Sequence, residues 1–555
     1  MSRPWLAPPA QGRSPDPARP APTASIPRGE DAVLGQVMLS FEGQALPAAI
    51  RSRLAGHPAA GVTLFRFLNH GSPGRVRELT DALQEAAAGR GPLLVAADQE
   101  SGQLIAFAEG TTPFAGNMAL GATGDADLAE RVGRAIGLEL RAMGINVNYA
   151  PVCDVATNPA HPALGIRAFA DEPELVGRLA TATVRGLQSA GVAATLKHFP
   201  GKGDVAVDTH HELAVVGHDR DRFERVELAP FREAIASGAR LIMSGHFAAP
   251  GLTGSASLPA TLSRSVMHDL VRKDLGFEGL TITDALDMGA LAQGPLLILE
   301  VVAAIRAGVD LLLMLDPANR EQLEAALVHA ARRGLFDPLA VEESLGRIAA
   351  FRDWVVSFGQ PTLDVVGCAE HRALARELAE RALTLVRDDA GLLPLRPEAD
   401  ARIAAIMPMP KDLTPADTSS TVPPGLAAAL RRRHPQVDEI VTGHPPTESD
   451  IRAIRARAAE YDVIILGTIN AVHDPAQVAL VQALYETGRP LVTVALRVPF
   501  DLLAYPLPGT HVCTYSILPG SLDALADALW GDISFTGRLP VSIDGRYRAG
   551  HRLER

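Results

Sequence analysis

The residues best suited to chemistry lie close together between positions 197 and 212. An apolar run at residues 192–196 is followed at once by the motif Lys-His-Phe-Pro-Gly at 197–201, and then by a glycine-containing loop that carries Asp208 and His210. A histidine two positions from an aspartate can be oriented by that carboxylate and can transfer a proton near neutral pH. The sequence therefore predicts a site of proton transfer where a buried strand ends.

Lysine usage points to the same stretch. Only four of the 52 basic residues are lysines, and two of them, Lys197 and Lys202, lie within six positions of each other. An ammonium is a compact point donor and a guanidinium is a planar fork, so a tight site that needs one donor cannot exchange them freely. We interpret the two lysines as parts of a site, with a solvated loop as the alternative.

Asp284 is a second candidate, because it directly follows an apolar run at residues 280–282. A carboxylate at the end of a buried strand is held rigidly, which a nucleophile requires. Aspartate also commonly caps the helix that follows a strand, so a helix N-cap is the structural alternative at this position.

A metal site is the competing interpretation of the polar loop, since four residues of types that bind metals occur within 15 positions. They are His198, His210, His211 and Glu212. Their spacing matches neither His-Glu-x-x-His nor a pattern that contains cysteine, and the glycines argue against a helix that presents two histidines on one face. We therefore expect neither a metal nor another cofactor.

Length and composition limit the classes of protein. A chain of 555 residues is too long for one core and is expected to form two or three domains. A net charge of −12, with no basic block beyond residues 431–433, argues against a nucleic-acid partner. No run of 18 apolar residues occurs, so we expect no membrane span.

The cysteines and the N-terminus indicate a cytoplasmic protein. Cys153, Cys368 and Cys513 are far apart and odd in number, which is typical of free thiols in a reducing compartment. Residues 1–28 are rich in Pro, Ala and Arg and lack the apolar core of a secretory signal, so they are predicted to form a disordered leader.

Eight apolar runs with helical patterns between them must position these residues. The runs lie at 37–41, 62–65, 93–97, 145–152, 192–196, 241–243, 280–282 and 309–314, and amphipathic helices are predicted at 127–143, 173–190, 222–237 and 321–333. Alternating strands and helices imply parallel pairing, and eight units predict a TIM-type (β/α)8 barrel, with a doubly wound sheet as the alternative.

The barrel prediction also places chemistry at one rim, because active sites of such barrels lie just after the strands. Polar residues follow five of the predicted strands, in the order of the chain. They are Asp98 with Glu100, Asp154 with Arg167, Lys197 with His198, His246, and Asp284 with Asp287.

The pattern restarts in the second half. Apolar runs at 403–407, 440–441, 463–466, 491–496 and 511–517 alternate with helical patterns at 370–384, 448–459, 475–486 and 522–530, which predicts an open α/β sandwich domain. We therefore divide the chain into the leader, a catalytic barrel at 29–355, a linker at 356–370 and a C-terminal domain at 371–555. No glycine-rich phosphate loop occurs in this second half.

These motifs resemble those of the glycoside hydrolase family 3 enzymes and, among them, the β-N-acetylglucosaminidases. The matching segments in the barrel are 97–100, 144–155, 165–169, 197–201, 208–210 and 283–288, and segments 393–395 and 536–541 match downstream. The resemblance extends from about residue 30 to about residue 550.

The resemblance implies a retaining exo-glycosidase that removes terminal β-linked N-acetylglucosamine, for example from cell-wall fragments. Asp284 is then the nucleophile that forms a covalent glycosyl-enzyme, and His210 with Asp208 replaces the usual carboxylic acid/base. The resemblance also implies a set of substrate-binding residues. They are Asp98, Arg167, Lys197, His198 and Met288.

The chain departs from the family pattern at three places. Gln103 and Ala106 stand where the family commonly has two arginines, which makes the sugar preference uncertain. Lys202 stands where a histidine is frequent, and Arg-Ala-Phe-Ala at 167–170 replaces Arg-Ser-Phe-Gly.

Two other functions fit the same residues. A phosphorylase would use phosphate as the acceptor, with a histidine acid/base that tolerates an anion and with Lys202 to assist. A non-catalytic sugar-binding or regulatory protein would explain the missing arginines. The sequence leaves open the oligomeric state, and also whether the loop at 202–212 is already closed over the site.

Overall fold

The computed structural model describes residues 29–314, 316–506 and 509–553. The leader predicted at residues 1–28 lies outside these ranges. Within them, no helix combines the length and the apolar character that crossing a membrane would require. All three cysteines are free thiols.

Short strands alternate with helices through the first part of the chain. The strands are β1 (Val37–Leu39), β2 (Gly61–Thr63), β3 (Leu94–Ala97), β4 (Gln99–Ser101), β5 (Leu104–Ile105), β6 (Val147–Asn148), β7 (Ala193–Phe199), β8 (Ala214–Val215), β9 (Leu241–Ser244), β10 (Phe247–Ala248), β11 (Leu280–Thr283) and β12 (Leu312–Leu313). The α-helices are α1 (Ala48–Gly56), α2 (Arg66–Asn69), α3 (Pro73–Ala86), α4 (Asn117–Thr123), α5 (Ala126–Ala142), α6 (Pro173–Ser189), α7 (Arg220–Arg222), α8 (Ala229–Ala236), α9 (Pro250–Thr253), α10 (Leu297–Ala307), α11 (Arg320–Arg332) and α12 (Pro338–Val356).

Eight of these strands form the predicted barrel. Their order is β11-β9-β7-β6-β3-β2-β1-β12, every neighbouring pair is parallel, and a parallel bridge between Ile282 and Leu311 joins the two ends. Each predicted apolar run contributes one strand. The (β/α)8 barrel is thus confirmed over the doubly wound sheet. Such strands are buried on both faces, as β7 is along its whole length, and so they read as continuous apolar runs.

The helix predicted at 222–237 is divided in the structure. A π-helical segment at Phe223–Glu227 separates α7 from α8, and the Leu228 amide donates to the carbonyl of Phe223 at 2.8 Å. Pro230 lies in the first turn of α8, where its missing N–H costs no helical hydrogen bond. Pro230 therefore marks the start of α8 within a stretch that the apolar spacing predicts to be a single helix.

The second part of the chain forms the predicted open sheet with helices. Its strands are β13 (Thr384–Asp388), β14 (Ile403–Pro408), β15 (Val437–Thr442), β16 (Val463–Thr468), β17 (Leu491–Ala495) and β18 (Thr510–Cys513), in the order β13-β18-β17-β16-β14-β15. Its α-helices are α13 (Ala369–Ala382), α14 (Leu426–Arg431), α15 (Glu448–Arg457), α16 (Pro475–Tyr485), α17 (Asp501–Ala504) and α18 (Pro519–Trp530). Strand β13 is antiparallel to β18, and the other pairs are parallel.

Strand β13 is the one element of this sheet that the sequence prediction missed. The predicted helix at 370–384 ends at Ala382, and Leu383 already has an extended ψ of 122°. The five residues that follow pair with β18 at the edge of the sheet. A short edge strand directly after a helix carries too few residues for its own periodicity to be visible.

The segment predicted as a linker, residues 356–370, is packed against the barrel. It contains a 3-10 turn at Leu363–Val365 between α12 and α13. Glu139 on α5 accepts a hydrogen bond from the Gly367 amide at 3.0 Å and contacts the His371 ring at 2.8 Å, and Arg141 donates to the carbonyls of residues 355, 358 and 359. These contacts fix the direction in which the chain enters the second domain.

Candidate active site

A pocket of about 400 Å³ opens at the carboxyl ends of the barrel strands. Seven of the eight residues that the sequence assigns to the site line this pocket, and the eighth, Asp208, contacts one of them. The seven are Asp98, Arg167, Lys197, His198, His210, Asp284 and Met288. Because parallel strands end on the same rim, residues up to 190 positions apart in the chain meet here.

Four charged side chains form a network on one side of the pocket. Lys197 Nζ lies 2.7 Å from an oxygen of Asp98 and 2.5 Å from an oxygen of Glu100, and Arg167 contacts both oxygens of Glu100 at 2.8 Å. Burial favours the neutral form of Glu100, but Arg167 and Lys197 outweigh it and hold the pKa of this carboxyl at about 2. Glu100 thus fixes both cations, although the sequence analysis noted it only as a residue after a strand.

His198 is oriented by Asp154. The Nδ1 atom of His198 lies 2.7 Å from Asp154 Oδ2, and its Nε2 atom lies 3.4 Å from the Arg167 guanidinium and 4.0 Å from Asp284. Burial, with the nearby cations of Lys202 and Arg167, holds the pKa of His198 well below its ordinary value. The ring is therefore neutral, donates through Nδ1 and offers the lone pair of Nε2 to Arg167. Like Glu100, Asp154 belongs to the site but is not among the catalytic and substrate-binding residues that the sequence predicted.

Asp284 lies in a turn directly after β11. Its Oδ1 accepts a hydrogen bond from the Ala285 amide at 2.9 Å, and the next helical segment begins only at Gly294, so the helix-cap interpretation is wrong. Burial raises the pKa of Asp284, but the charges of Lys202, His246 and His210 together bring it below its ordinary value. The pocket therefore contains an ionised carboxylate.

Asp208 and His210 form a close pair at the mouth of the pocket. Asp208 Oδ1 lies 2.5 Å from His210 Nδ1 and accepts from the His210 amide at 3.0 Å. Burial favours the neutral acid, but the hydrogen bonds and charge of His210 lower the pKa of Asp208 well below its usual range. An ionised Asp208 keeps the proton on Nδ1 and leaves Nε2 of the imidazole to face the pocket.

The loop that carries this pair is docked over the site. The carbonyl of His210 accepts from the Gly289 amide at 2.9 Å, and the carbonyl of Thr209 accepts from the Ala290 amide at 3.3 Å. A side chain at position 289 would place its Cβ 2.4 Å from the carbonyl oxygen of His211, so only glycine permits this approach. In this structure the 202–212 loop is thus closed against the segment after Asp284.

The second domain supplies one wall of the pocket, a contribution that the sequence did not predict. Residues 412 and 414–418 line it together with Phe65 and Phe67 of the barrel, whose rings stack with centroids 5.6 Å apart. Asp417 anchors the wall by accepting from the buried guanidinium of Arg497 at 2.7 Å. The carboxyl ends of β14 and β17, which these residues follow, therefore face the barrel rim.

The two departures from the arginines of the family lie in different surroundings. Gln103 is buried at the domain junction, where its side chain accepts from Arg497 and its carbonyl accepts from the Thr418 amide at 2.7 Å. Ala106, in contrast, lines the pocket. Gln103 therefore belongs to the junction between the domains, and Ala106 belongs to the pocket itself.

Lys202, which the phosphorylase alternative assigns to assist the acceptor, is buried beside Asp284. Its side chain is 3% exposed, its Nζ lies 4.0 Å from Asp284 Oδ2, and it is not among the residues that line the pocket.

Across the described ranges, no three or more His, Cys, Asp or Glu side chains converge in a way that could hold a metal ion. The Nδ1 atoms of His198 and His210 contact carboxylates instead.

Comparison with known proteins gives a consistent result. The Glycosyl hydrolase family 3 N terminal domain matches residues 33–351, and the Glycosyl hydrolase family 3 C-terminal domain matches residues 383–549. The chain is 32% identical to Beta-hexosaminidase A of Pseudoalteromonas piscicida over 90% of this chain and 92% of that one. It is 28% identical to the Beta-N-acetylglucosaminidase/beta-glucosidase of Cellulomonas fimi over 92% and 93% of the two chains.

The fold matches a solved structure over nearly its whole length. A glycoside hydrolase family 3 beta-N-acetylglucosaminidase from Paenibacillus sp. str. FPU-7 superimposes with a TM-score of 0.87 at 35% identity, covering 93% of this chain and 98% of that one.

Proposed function

The chain belongs to glycosyl hydrolase family 3 and is a glycoside hydrolase, and we propose that it removes terminal β-linked N-acetylglucosamine from oligosaccharides. One observation carries the proposal: an ionised carboxylate, Asp284, and a carboxylate-oriented imidazole, His210, face the same pocket. The names of the similar proteins from Pseudoalteromonas and Paenibacillus support the choice of sugar.

The first chemical step forms a covalent glycosyl-enzyme. An oxygen of Asp284 attacks the anomeric carbon while the bond from that carbon to the leaving oxygen breaks, and the imidazolium of His210 gives its Nε2 proton to that oxygen. Asp208 stabilises the imidazolium before the transfer and fixes the ring tautomer after it. The leaving group departs as a neutral alcohol.

The second step releases the sugar. Neutral His210 takes a proton from water at Nε2 as the water oxygen bonds to the anomeric carbon, and the bond to Asp284 breaks with its electron pair returning to the carboxylate. Two inversions at the same carbon give net retention of the β configuration. Histidine returns to its protonated state, ready for the next cycle.

The charged network is suited to hold the sugar in a fixed position. Asp98, Arg167, Lys197 and His198 present donors and acceptors to the pocket, and Met288 supplies an apolar surface. Charge-assisted hydrogen bonds to hydroxyl groups discriminate strongly, because a sugar that lacks the hydroxyl leaves a buried polar group unpaired.

The test is turnover of nitrophenyl β-N-acetylglucosaminide by the full chain and by Asp284→Asn. We expect the variant to lose at least about 10⁴-fold in kcat, because a carboxamide cannot form the glycosyl ester, and we expect NMR to show the β anomer as the first product. Undiminished turnover by the variant, or the α anomer as the first product, would refute the proposal.

Two further measurements complete the experiment. One is turnover of the β-glucoside with the same leaving group, and the other is turnover of each sugar with phosphate added. Because Ala106 lines the pocket in place of an arginine that could contact the sugar, we expect weak turnover of the glucoside. With water as the acceptor, phosphate leaves the rate unchanged. Acceleration by phosphate with a sugar 1-phosphate product would support the phosphorylase alternative instead.

Two finer points stay predictions from the sequence. Cell fractionation tests the cytoplasmic location. Release of N-acetylglucosamine from a disaccharide with N-acetylmuramic acid tests cell-wall fragments as the natural substrate.

A further inference from the structure

Lys202 is a buried ammonium that the proposed mechanism does not use. Its side chain is 3% exposed, and Nζ lies 4.0 Å from Asp284 Oδ2. The same Nζ donates to Thr209 Oγ1 at 3.4 Å, one position before the acid/base histidine. One cation therefore stands between the nucleophile and the loop that carries the proton donor.

The backbone of Lys202 is fixed from both sides. Its amide donates to Asp154 Oδ1 at 2.8 Å, and its carbonyl lies 3.1 Å from His161 Nε2. His161 Nδ1 accepts two backbone amides, so this ring is neutral and Nε2 is the donor to Lys202. Burial lowers the pKa of His161 to about 3, and the charges of Lys202 and Arg167 act in the same direction.

Other titratable groups around Asp284 do not replace this charge. His198 approaches from β7 and His246 from the end of β9, and burial lowers the pKa of both rings, which disfavours their cationic forms near neutral pH. His246 is held between Thr261 and the Ala285 carbonyl.

The charged neighbours of Lys202 itself are mostly acidic. Burial lowers the pKa of the ammonium, and the carboxylates of Asp284, Asp154 and Asp208 oppose this, while Arg167 adds to it. Tyr149 also faces the site, but burial raises the pKa of its hydroxyl far above the ordinary value. His210 gains and loses a proton during each cycle, so Lys202 is the constant positive charge nearest to Asp284.

We propose that Lys202 is a positioning residue of this reaction, whose ammonium keeps Asp284 ionised and holds the His210 loop in its docked position through Thr209. The proposal rests on the proposed function, because it assigns Lys202 a role toward the nucleophile of that mechanism. It also gives a physical meaning to the departure from histidine at this position, because the ordinary pKa of lysine is about four units above that of histidine and the ammonium is therefore easier to keep charged in a buried site.

The charge affects the two chemical steps in opposite ways. In the first step the carboxylate becomes a neutral ester, and the ammonium loses its counterion. In the second step the ester bond breaks, both electrons return to the Asp284 oxygen, and the ammonium stabilises the carboxylate as it leaves. Removing the charge is therefore expected to slow the second step more than the first at a pH where Asp284 is ionised.

The test uses Lys202→Met, Lys202→Arg and, as a matched control, Lys273→Met. Lys273 is 64% exposed and pairs with Asp269 on the outside of the barrel. The substrate is dinitrophenyl β-N-acetylglucosaminide, whose leaving group needs no proton, so the acid limb of kcat/KM reports ionisation of Asp284.

We expect the acid limb of Lys202→Met to move upward by about 1–3 pH units, the usual effect of an opposite charge at this distance. We also expect a burst of dinitrophenol as the covalent intermediate accumulates. Lys202→Arg should keep most of the wild-type pH profile, and the profile of Lys273→Met should match that of the wild type.

An acid limb for Lys202→Met that superimposes on the wild type would overturn the inference, as would equal shifts in the methionine and arginine variants. Thermal melting checks that each variant is folded, and Lys202→Gln replaces the methionine variant if that one is not. Activity in Asp284→Asn would refute the proposed function itself. If Asp284→Asn is inactive while Lys202→Met keeps the wild-type profile, only the role of Lys202 fails.

Discussion

Replacing Glu100 by glutamine tests the charged network most directly. The change keeps the shape of the side chain and removes the negative charge that both Arg167 and Lys197 contact at 2.5–2.8 Å. Lys197 then keeps one carboxylate partner, Asp98, at 2.7 Å. Arg167 loses its bidentate ion pair with Glu100. A buried positive charge is left without its counterion.

The magnitude follows from the pKa of Glu100. Two cations hold it at about 2, compared with its ordinary 4.5, and each pKa unit corresponds to about 1.4 kcal/mol. The ionised form of Glu100 therefore contributes about 3 kcal/mol to folding at neutral pH. Because the folded-state pKa is the lower one, this contribution is present above pH 4.5 and is lost as the pH falls toward 2.

Thermal unfolding and steady-state kinetics measure the two consequences. With an unfolding entropy of about 2.1 cal/mol/K per residue, a loss of about 3 kcal/mol in a chain of this size corresponds to a fall in Tm of roughly 3–4 °C. Because Arg167 and Lys197 lose their anchor, we expect kcat/KM to fall by about 10²-fold, the usual effect of misplacing binding groups by about 1 Å.

Glu324→Gln is the matched control. Glu324 pairs with Arg53 at 2.7 Å in the same barrel, but away from the pocket. This variant should lose stability and keep its kinetic constants. If Glu100→Gln melts within 1 °C of the wild type with an unchanged KM, the argument from the buried charges is wrong.

Three further predictions concern other parts of the molecule. Asp208→Asn should lower kcat by about 10²–10⁴-fold on a substrate with a poor leaving group and much less on the dinitrophenyl substrate, because His210 loses the partner that sets its tautomer. Arg497→Met should cost about 3–5 kcal/mol by stranding buried Asp417, and thermal melting should show part of the loss restored by adding Asp417→Asn. Burial raises the pKa of Asp501 from its ordinary 3.8 to about 7, so the stability associated with its protonated form is lost as the pH rises between these two values. Tm should therefore decline from about pH 4 to 7 and level off above 7 in the wild type, and it should decline less in Asp501→Asn.

The junction between the domains joins the second domain to the wall of the pocket. Arg497 and Gln103 are 394 positions apart, yet both are buried and in contact, and Thr418 completes the same junction. The wall of the pocket at residues 414–418 is fixed by these bonds. A change at Arg497 is therefore expected to alter KM for longer oligosaccharides more than for nitrophenyl substrates.

The sequence alone determined the barrel and the position of its site. Eight apolar runs predicted the eight strands, and the polar residues after them predicted the rim, because the ends of parallel strands are fixed by chain direction. Seven predicted residues line one pocket for this reason. The pairing of Asp208 with His210 was also predicted from the sequence, because residues two positions apart in a loop can contact each other without any help from distant segments.

Only the tertiary structure decided which buried charges face one another. Glu100 on β4 contacts Lys197 on β7 and Arg167 in the loop after β6, and Lys202 lies 4.0 Å from Asp284 without lining the pocket. The wall from the second domain and the edge strand β13 were likewise not visible in the sequence. Local patterns record burial and chain direction, whereas the partner of a buried charge depends on packing between segments that are far apart in the chain.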